Sequence, residues 1–301
     1  MARTGELCRL VAQGGELEGE MISFNRATMA AISLGVGLLL SAAPSTPGQQ
    51  TAQQAAQQTT QQAAQQKENT AEFPEGALAP DNLAKPRPKA PFNLTGTWTV
   101  DLSAGFASFM FGPPYPKFKP DAQAAYDAGK KAAAEHKAYR DDIGHCYPAG
   151  MPMLMTRVWP IAMIQLPTAI YMVSGFENGL RIIYLDGRQH TPPDIVVRSY
   201  NGDSVGHWEG DTLVVDTNSM TTEHHWIDQG IPVSDEFHMI ERMRMVNDGK
   251  TLEIKYIMTD PKNWDGEWTS TKRWNRVDDT DITEVECTPD LNQHLLSTHD
   301  E

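Results

Sequence analysis

The most distinctive pattern of this chain lies between residues 199 and 217, where two runs that suit extended strands flank a turn-forming sequence. Residues 204–208 form a predicted extended arm, and residues 212–217 form a β-branched return arm that suits a pleated sheet. Between the arms, the sequence E-G-D supplies residues that tolerate the left-handed backbone of a tight turn. The pattern predicts a β-hairpin, which we expect to form the central part of an all-β domain.

Similar hairpins are predicted on both sides, where Asn-Gly and Asn-Asp-Gly turns separate apolar runs. A Gly-x-Trp opening strand at residues 96–98 precedes one Ala-rich helix at residues 120–140. The other predicted strands cover residues 161–165, 169–174, 181–186, 195–199, 237–246, 251–259, 268–276 and 282–287, with an irregular polar loop at 221–235. This order predicts an antiparallel, lipocalin-like barrel of about 8–10 strands, with a β-sandwich as the alternative.

The hydrophobic pattern also divides the chain into segments. Residues 1–43 are predicted to be an upstream extension and a secretion signal, because an apolar run at 30–40 is followed by small residues and is too short to span a membrane. Residues 44–91 are rich in Gln, Ala and Pro, which predicts a disordered tether. The predicted barrel domain covers residues 92–294, and residues 295–301 form a tail.

Composition narrows the possible partners. The formal net charge is −14 and no Lys/Arg cluster occurs, which argues against nucleic acid and against an anionic membrane surface. A small molecule is therefore the expected partner, and the mature protein is not expected to insert into a membrane. Dinucleotide fingerprints and glycine-rich phosphate loops are absent, so no cofactor is expected. The sequence leaves the oligomeric state open.

Three cysteines occur, and Cys8 lies upstream of the predicted signal. The remaining pair, Cys146 and Cys287, predicts a disulfide in an exported protein, with two buried thiols as the alternative. We therefore expect a periplasmic or secreted location.

The strand at residues 237–246 carries the first candidate for chemistry. One face of this strand carries Met239, Glu241, Met243 and Met245, and the methionines predict that this face, with Glu241, points into the barrel. A carboxylate in an apolar interior is a candidate general acid or base, and His238 adjoins it. The structural alternative is an ion pair between Glu241 and a cation such as Arg188 or Arg273.

A second candidate cluster follows the strand at residues 181–186. Arg188 at the strand end is predicted to bind an anionic group next to Tyr184, and His190 is predicted to move a proton. The structural alternative is that Asp186 and Arg188 pair with each other to brace the turn.

A third candidate region is the polar loop at residues 221–235. His224 and His225 are adjacent, and no metal-ligand spacing is present, so we expect a loop over the barrel mouth and no metal site. Further predicted substrate-binding residues are Asp216, Trp226, Tyr256 and Trp268.

Several of these motifs resemble those of a large family of exported, mostly uncharacterised, lipocalin-like bacterial proteins. The matching runs are R-I-I-Y-L-D-G-R-Q-H, G-D-S-V-G-H-W-E-G-D-T-L-V-V-D-T and W-I-D-Q-G-I-P-V-S-D-E-F-H-M-I-E-R. The resemblance implies the barrel fold and export, and it implies no particular reaction. Val233 stands where the family usually has a His, and residues 216–220 depart from the family's D-T-x-G-F run.

Three functional hypotheses follow. The first is a cofactor-independent lyase or isomerase that acts on an aromatic or apolar molecule in a barrel cavity, with Glu241, His238 and His190 as its catalytic residues. The second is a binding protein that holds an apolar ligand without chemistry. The third is an interaction module of the cell envelope.

Overall fold

The computed structural model describes residues 74–135, 143, 146–177, 179–228, 230–285 and 287. The predicted secretion signal, the first part of the predicted tether and the predicted tail lie outside these residues. Within the described part of the chain, no helix is long and apolar enough to cross a membrane.

The fold is a closed β-barrel of nine strands, as the sequence predicted. Around the barrel the strand order is β1-β11-β10-β9-β6-β5-β4-β3-β2, and β7 and β8 form a separate two-stranded sheet. The strands are β1 (Gly96–Val100), β2 (Ile161–Gln165), β3 (Ala169–Ser174), β4 (Leu180–Tyr184), β5 (Asp203–Glu209), β6 (Thr212–Asn218), β7 (Trp226–Asp228), β8 (Ile231–Pro232), β9 (His238–Val246), β10 (Thr251–Thr259) and β11 (Trp268–Val277).

The predicted hairpins form where the turn residues permit them. Gly210 takes a φ of 61° between β5 and β6, which is the left-handed conformation that the E-G-D turn requires. Asn247 and Asp248 take φ values of 52° and 55° between β9 and β10. Local turn chemistry therefore sets the register of these strand pairs.

The prediction of an entirely antiparallel barrel is wrong at one pair of strands. β4 and β5 are parallel, and only Ile183–Ser204 and Tyr184–Val205 pair along them. A parallel pair needs a long return connection, and here residues 185–202 provide it. We call this short parallel contact the seam.

Three predictions about individual elements are also wrong. Residues 195–199 form no strand, because Pro192 and Pro193 precede a turn in which Ile195 N–H donates to the Pro192 carbonyl at 3.1 Å. The described residues of 282–287 form no strand either, since β11 already pairs with β10 on one edge and β1 on the other. The loop at 221–235 contains the β7–β8 hairpin.

Within the described residues, two α-helices accompany the barrel: α1 (Pro80–Ala84) and α2 (Pro120–Ala134). The segment around α1 lies within the predicted tether, yet it contacts the barrel: Thr168 Oγ1 donates to the Ala77 carbonyl at 2.6 Å, and Asn82 Nδ2 donates to Asp186 Oδ2 at 3.0 Å. Packing against the barrel therefore begins upstream of residue 92.

Alternate residues of each strand point inward and form the core. On β9 the inward residues include Met239, Glu241 and Met243, as predicted. The predicted disulfide is also confirmed: Cys146 and Cys287 are bonded, with their Cα atoms 5.6 Å apart. It links the segment before β2 to the segment after β11.

Candidate functional site

Strands β6 and β9 carry one ionic cluster on each of their faces. The interior network consists of Arg181, Ser204, Thr217 and Glu241, which point into the barrel and are buried. The wall cluster consists of His190, Asp203, Asp216 and His238, which lie on the outer face. Neighbouring residues on a strand point to opposite faces, so Asp216 and Thr217 belong to different clusters.

The interior network satisfies its charges internally. Arg181 Nη1 donates to Glu241 Oε1 at 3.1 Å, and Arg181 Nη2 donates to Glu241 Oε2. The same guanidinium donates to Thr217 Oγ1 at 3.0 Å and to Ser204 Oγ at 3.2 Å. Arg181 and Glu241 expose only 1% and 0% of their side chains. The partner of Glu241 is therefore Arg181, and not the Arg188 or Arg273 suggested by the sequence.

The surroundings of Glu241 are tightly packed. Tyr256 lies opposite Glu241 on β10, and its buried hydroxyl has no hydrogen-bond partner. Burial, followed by the nearby charge of Glu241, raises the pKa of Tyr256 well above its ordinary value. Tyr256, Met239 and Leu252 each expose 0% of their surface, so no ligand-sized void adjoins them. The catalytic role of Glu241 and the ligand-binding role of Tyr256 stay predictions.

Asp216 joins the two histidines of the wall cluster. Its Oδ1 lies 2.7 Å from His238 Nε2 and 3.1 Å from His190 Nε2. The other ring nitrogen of His190, Nδ1, lies 3.5 Å from Asp203 Oδ2, which also accepts the Thr191 N–H at 2.6 Å. The structure thus brings together three residues that the sequence nominated from separate segments, and it adds Asp203.

Electrostatics fix the charges of this cluster. The facing carboxylate of Asp203 and the hydrogen bond to Asp216 raise the pKa of His190 to about 9, so its imidazole is protonated at neutral pH. Burial opposes the ionisation of Asp216, but the hydrogen bonds from His190 and His238 outweigh it and hold the pKa of Asp216 well below its ordinary value. The cluster therefore contains ionised carboxylates and a charged imidazole.

A cleft of about 280 Å³ opens between β4 and the connection that follows it. We call it the seam cleft. Its apolar lining includes Leu180, Ile182, Val196 and Val197. Asp203 also lines it, which joins the cleft to the wall cluster.

Asn201, which lines the seam cleft, carries a polar atom without a partner. Asn201 donates through Nδ2 to the Leu180 carbonyl at 2.8 Å, while its Oδ1 is buried and accepts no hydrogen bond. A buried acceptor without a donor is costly, and a bound ligand or water commonly satisfies such a group.

Arg188 braces its own turn, as the structural alternative predicted. Its Nη2 donates to Asp186 Oδ2 at 2.6 Å and to the Glu75 carbonyl at 2.8 Å, and its guanidinium lies 4.0 Å from the centre of the Tyr184 ring. Burial opposes ionisation of Asp186, but the hydrogen bonds from Arg188 and Asn82 hold its pKa at about 2. Tyr184 lines the seam cleft, and its role in ligand binding stays a prediction.

The remaining predicted residues lie away from the wall cluster. Trp268 is buried in an aromatic cluster with Phe111, Tyr115 and Trp264. Trp226 begins β7, where its indole nitrogen is buried without a partner. In the same loop, burial lowers the pKa of His225 to about 4. Among the described residues, no group of three His, Cys, Asp or Glu side chains has the geometry to hold a metal ion.

Sequence reasoning missed Arg181, Asn201 and Leu180. A signal for Arg181 was present, because in L-R-I-I-Y the arginine shares an alternation phase with the inward-facing Ile183. No local signal marked Asn201 or Leu180, since both matter only where β4 meets the return connection.

Comparisons with known proteins give likeness in fold alone. No family model matches the chain, and no curated protein matches it. One similar solved structure is the fluorescent protein UnaG, with a TM-score of 0.30 and 12% identity over 61% of this chain and 96% of that chain. Another is a mutant of the REP1-NXSQ fatty acid transporter, with a TM-score of 0.25 and 13% identity over 61% of this chain and 98% of that chain. The family resemblance of the sequence motifs stays a prediction.

Proposed function

We propose that this protein binds a small, partly apolar molecule in the seam cleft. The observation that carries the proposal is the exposure of apolar side chains at one concave place: Leu180 and Val197 expose 52% and 87% of their surface and both line the cleft. Clustered exposed apolar residues in a concavity are typical of a binding site.

The cleft fits a ligand better than the barrel interior does. The interior side chains around Glu241 have no accessible surface, and Arg181 already occupies the Glu241 carboxylate. Ligand sites generally have volumes of about 300–1,000 Å³. The seam cleft, at about 280 Å³, lies near the lower end of that range and favours a ligand of one or two rings.

The polar groups of the cleft specify part of the ligand. Asn201 Oδ1 is a buried acceptor without a donor, so a ligand O–H or N–H would satisfy it. The negative charge of Asp203 is already compensated by the protonated His190, so the ligand does not need a positive charge to pair with Asp203. We infer a ligand that combines an apolar body with at least one hydrogen-bond donor.

A matched pair of substitutions tests this site. Leu180 and Ile164 each expose 52% of their surface, and only Leu180 lines the cleft. Compounds with one or two rings and a hydroxyl or amine group would first be screened by thermal shift. For each hit we expect Leu180→Glu to weaken binding by about tenfold or more in calorimetry, because it introduces a charge into an apolar contact.

Ile164→Glu serves as the control, and it should leave the affinity unchanged. Equal losses of affinity in both variants, or none in either, would place the ligand elsewhere. Unfolding midpoints of both variants should match the wild type, since both positions are solvent-exposed.

The wall cluster favours a second function, acid–base catalysis on the bound molecule as a cofactor-independent lyase or isomerase. Asp216 orients the half-exposed His238 to act as a base. The protonated His190 contributes a fixed positive charge beside it, because its two ring nitrogens face Asp216 and Asp203 and neither is directed at a ligand. The support is the shared Asp216 oxygen, which holds the two imidazoles together, and Asp203, which faces His190 and lines the seam cleft.

The catalytic proposal has its own test. His238→Ala should lower turnover of a confirmed ligand by about 10²–10⁴-fold while its dissociation constant changes little. Chromatography of the reaction mixture would detect a new product from the wild type. Binding without any product would leave the protein a carrier and would reject the catalytic proposal.

We also propose that the protein is exported to the periplasm or secreted. The Cys146–Cys287 disulfide supports this location, because disulfides persist mainly in oxidising compartments. Fractionation of cells should recover the protein outside the cytoplasm, and a purely cytoplasmic protein would contradict the proposal.

A further inference from the structure

The barrel interior is closed at one place by the protein's own loop. A 3₁₀ turn at Phe106–Phe109 leads into Phe111, whose side chain is 2% exposed. The Phe111 ring lies edge-on to two inward-facing aromatic rings, with its centre 5.2 Å from that of Tyr256 and 6.3 Å from that of Trp268. The Phe111 ring thus fills a space between aromatic side chains that point into the barrel.

A lysine holds the main chain of this loop. Lys272 on β11 is 4% exposed, and its Nζ donates to the Ser108 carbonyl at 2.9 Å and to the Met110 carbonyl. The same Nζ lies 5.4 Å from the centre of the Phe111 ring. Among the described residues, no carboxylate lies within ion-pair distance of Lys272. Its buried charge therefore faces carbonyl dipoles and a ring.

Two further donors near this position lack partners. The Tyr256 hydroxyl and the Trp268 indole nitrogen are both buried and donate to no acceptor. Both rings contact Phe111, and Lys272 Nζ lies 5.4 Å from the same ring, so the two unpartnered donors and the lysine belong to side chains that surround Phe111. A wall with a cation, two free donors and aromatic faces matches the chemistry of an aromatic carboxylate.

We propose that this region is an interior binding site for an apolar or aromatic carboxylate, and that Phe111 with the Ser108 and Met110 carbonyls fills it in the described conformation. The ring of the ligand would replace the Phe111 ring, and its carboxylate would replace the two carbonyls on Lys272. A carboxylate forms a stronger, charge-assisted hydrogen bond to an ammonium group than a carbonyl does.

The state of Lys272 is compatible with anion binding. Burial lowers the pKa of Lys272 to about 8, so the amine is mostly protonated at neutral pH. Two carboxylates border this region. Asp228 accepts the Phe111 N–H through Oδ2 at 3.2 Å, and its charge favours the protonated lysine. Glu241 lies opposite Tyr256, and its charge is compensated by Arg181. Displacement of the loop would free that Asp228 contact as well.

Vacating the Phe111 position provides the test. Phe111→Ala would be titrated by calorimetry at neutral pH with 3-phenylpropanoate and with its neutral analogue 3-phenylpropan-1-ol. We expect the variant to bind the acid about tenfold more tightly than the alcohol, and more tightly than the wild type binds it. Adding Lys272→Met should abolish the preference for the acid and leave the alcohol affinity within about threefold.

Phe237→Ala is the matched control, because Phe237 is 3% exposed and contacts Trp264 instead of Lys272. It should show no preference for the acid. Adding Leu180→Glu to Phe111→Ala should change nothing, which separates this site from the seam cleft and from the function proposed there.

Several results would overturn the proposal. They are equal affinity for acid and alcohol in Phe111→Ala, an acid preference that survives Lys272→Met, an acid preference in Phe237→Ala, and loss of binding on adding Leu180→Glu. If Phe111→Ala does not fold, Phe111→Val, which leaves a smaller void, takes its place in the same titrations. A folded variant that binds neither probe also contradicts the proposal.

Discussion

The interior network and the wall cluster share strands β6 and β9 but differ in what surrounds their charges. Glu241 exposes 0% of its side chain and has both oxygens bonded to Arg181, whereas His238 exposes 40% of its side chain beside Asp216. A fully paired and buried ion pair fixes the structure, while a half-exposed pair can meet a ligand. The difference places structural specificity inside the barrel and candidate chemistry on its wall.

The largest expected effect comes from breaking the interior network. Arg181→Met leaves the Glu241 carboxylate buried without its partner, and we expect the free energy of unfolding to fall by about 3–5 kcal/mol. Urea denaturation measures this loss. A loss below about 1 kcal/mol would show that Glu241 finds water or another partner, and the contrast between the two clusters would then weaken.

Replacing both charges sharpens the same point. Arg181→Met combined with Glu241→Leu removes the buried charges together, and the double variant should recover most of the lost stability, because buried pairs are often no better than apolar residues of similar volume. The same urea denaturation gives the comparison. A double variant as unstable as Arg181→Met would mean that Ser204 and Thr217 depend on the pair for their own hydrogen bonds.

Asp216→Asn should have a smaller effect, of about 1 kcal/mol, because the group is partly exposed and screened by solvent. The pKa of Asp216 is lowered in the folded state. Its contribution to the free energy of unfolding is therefore present above pH 3.8, the ordinary pKa of the group, and is lost as the pH falls below that value. Unfolding of wild type and variant at about pH 7 and about pH 3 should show the difference shrink in acid. A difference that stays constant with pH would contradict the ionic account of the cluster.

His190→Asn should reveal a dependence on pH in the opposite direction. The pKa of His190 is raised from 6.5 to about 9. Its contribution to the free energy of unfolding is therefore complete below pH 6.5 and is lost as the pH rises through about 9. The wild type should therefore exceed His190→Asn in stability at about pH 6, and the two should converge near pH 10. If the wild type stays more stable than His190→Asn near pH 10, the stabilisation does not come from the protonated imidazole of His190.

His238→Ala should have the smallest effect on stability, within about 0.5 kcal/mol, since the imidazole is exposed on the wall. Its loss would be seen in turnover, if the second proposed function holds. A large loss of stability would instead show that His238 has a structural role, and the wall cluster would then stabilise the fold as the interior network does.

Much of the fold could be predicted because local residues determine it. The E-G-D and N-D-G turns fix their hairpins, and the alternation of Met239, Glu241 and Met243 fixes which face of β9 is buried. The disulfide followed from the two cysteines of the predicted exported chain. The turns and the buried face of β9 depend on short stretches of sequence, and the disulfide depends on the number of cysteines. A single sequence contains both kinds of information.

The features that escaped prediction depend on contacts between distant segments. β5 and β6 lie between β4 and β9 in the barrel order, so the pairing of Arg181 with Glu241 requires the closed barrel to be known first. The seam is likewise set where Ile183 meets Ser204, after a return connection without regular structure. The sequence could nominate His190, Asp216 and His238 one by one, but only the strand order brings them together.

The most direct test of the central claim compares methyl groups on the wall with methyl groups in the interior. The wild type, labelled with ¹³C at Leu, Val and Met methyl groups, would be titrated with a hit from the ligand screen and followed by NMR. We predict shifts at Leu180 and Val197 of the seam cleft, while Met239 and Met243 stay unchanged. Shifts at Met239 and Met243 without shifts at Leu180 and Val197 would move the site into the barrel and contradict the account.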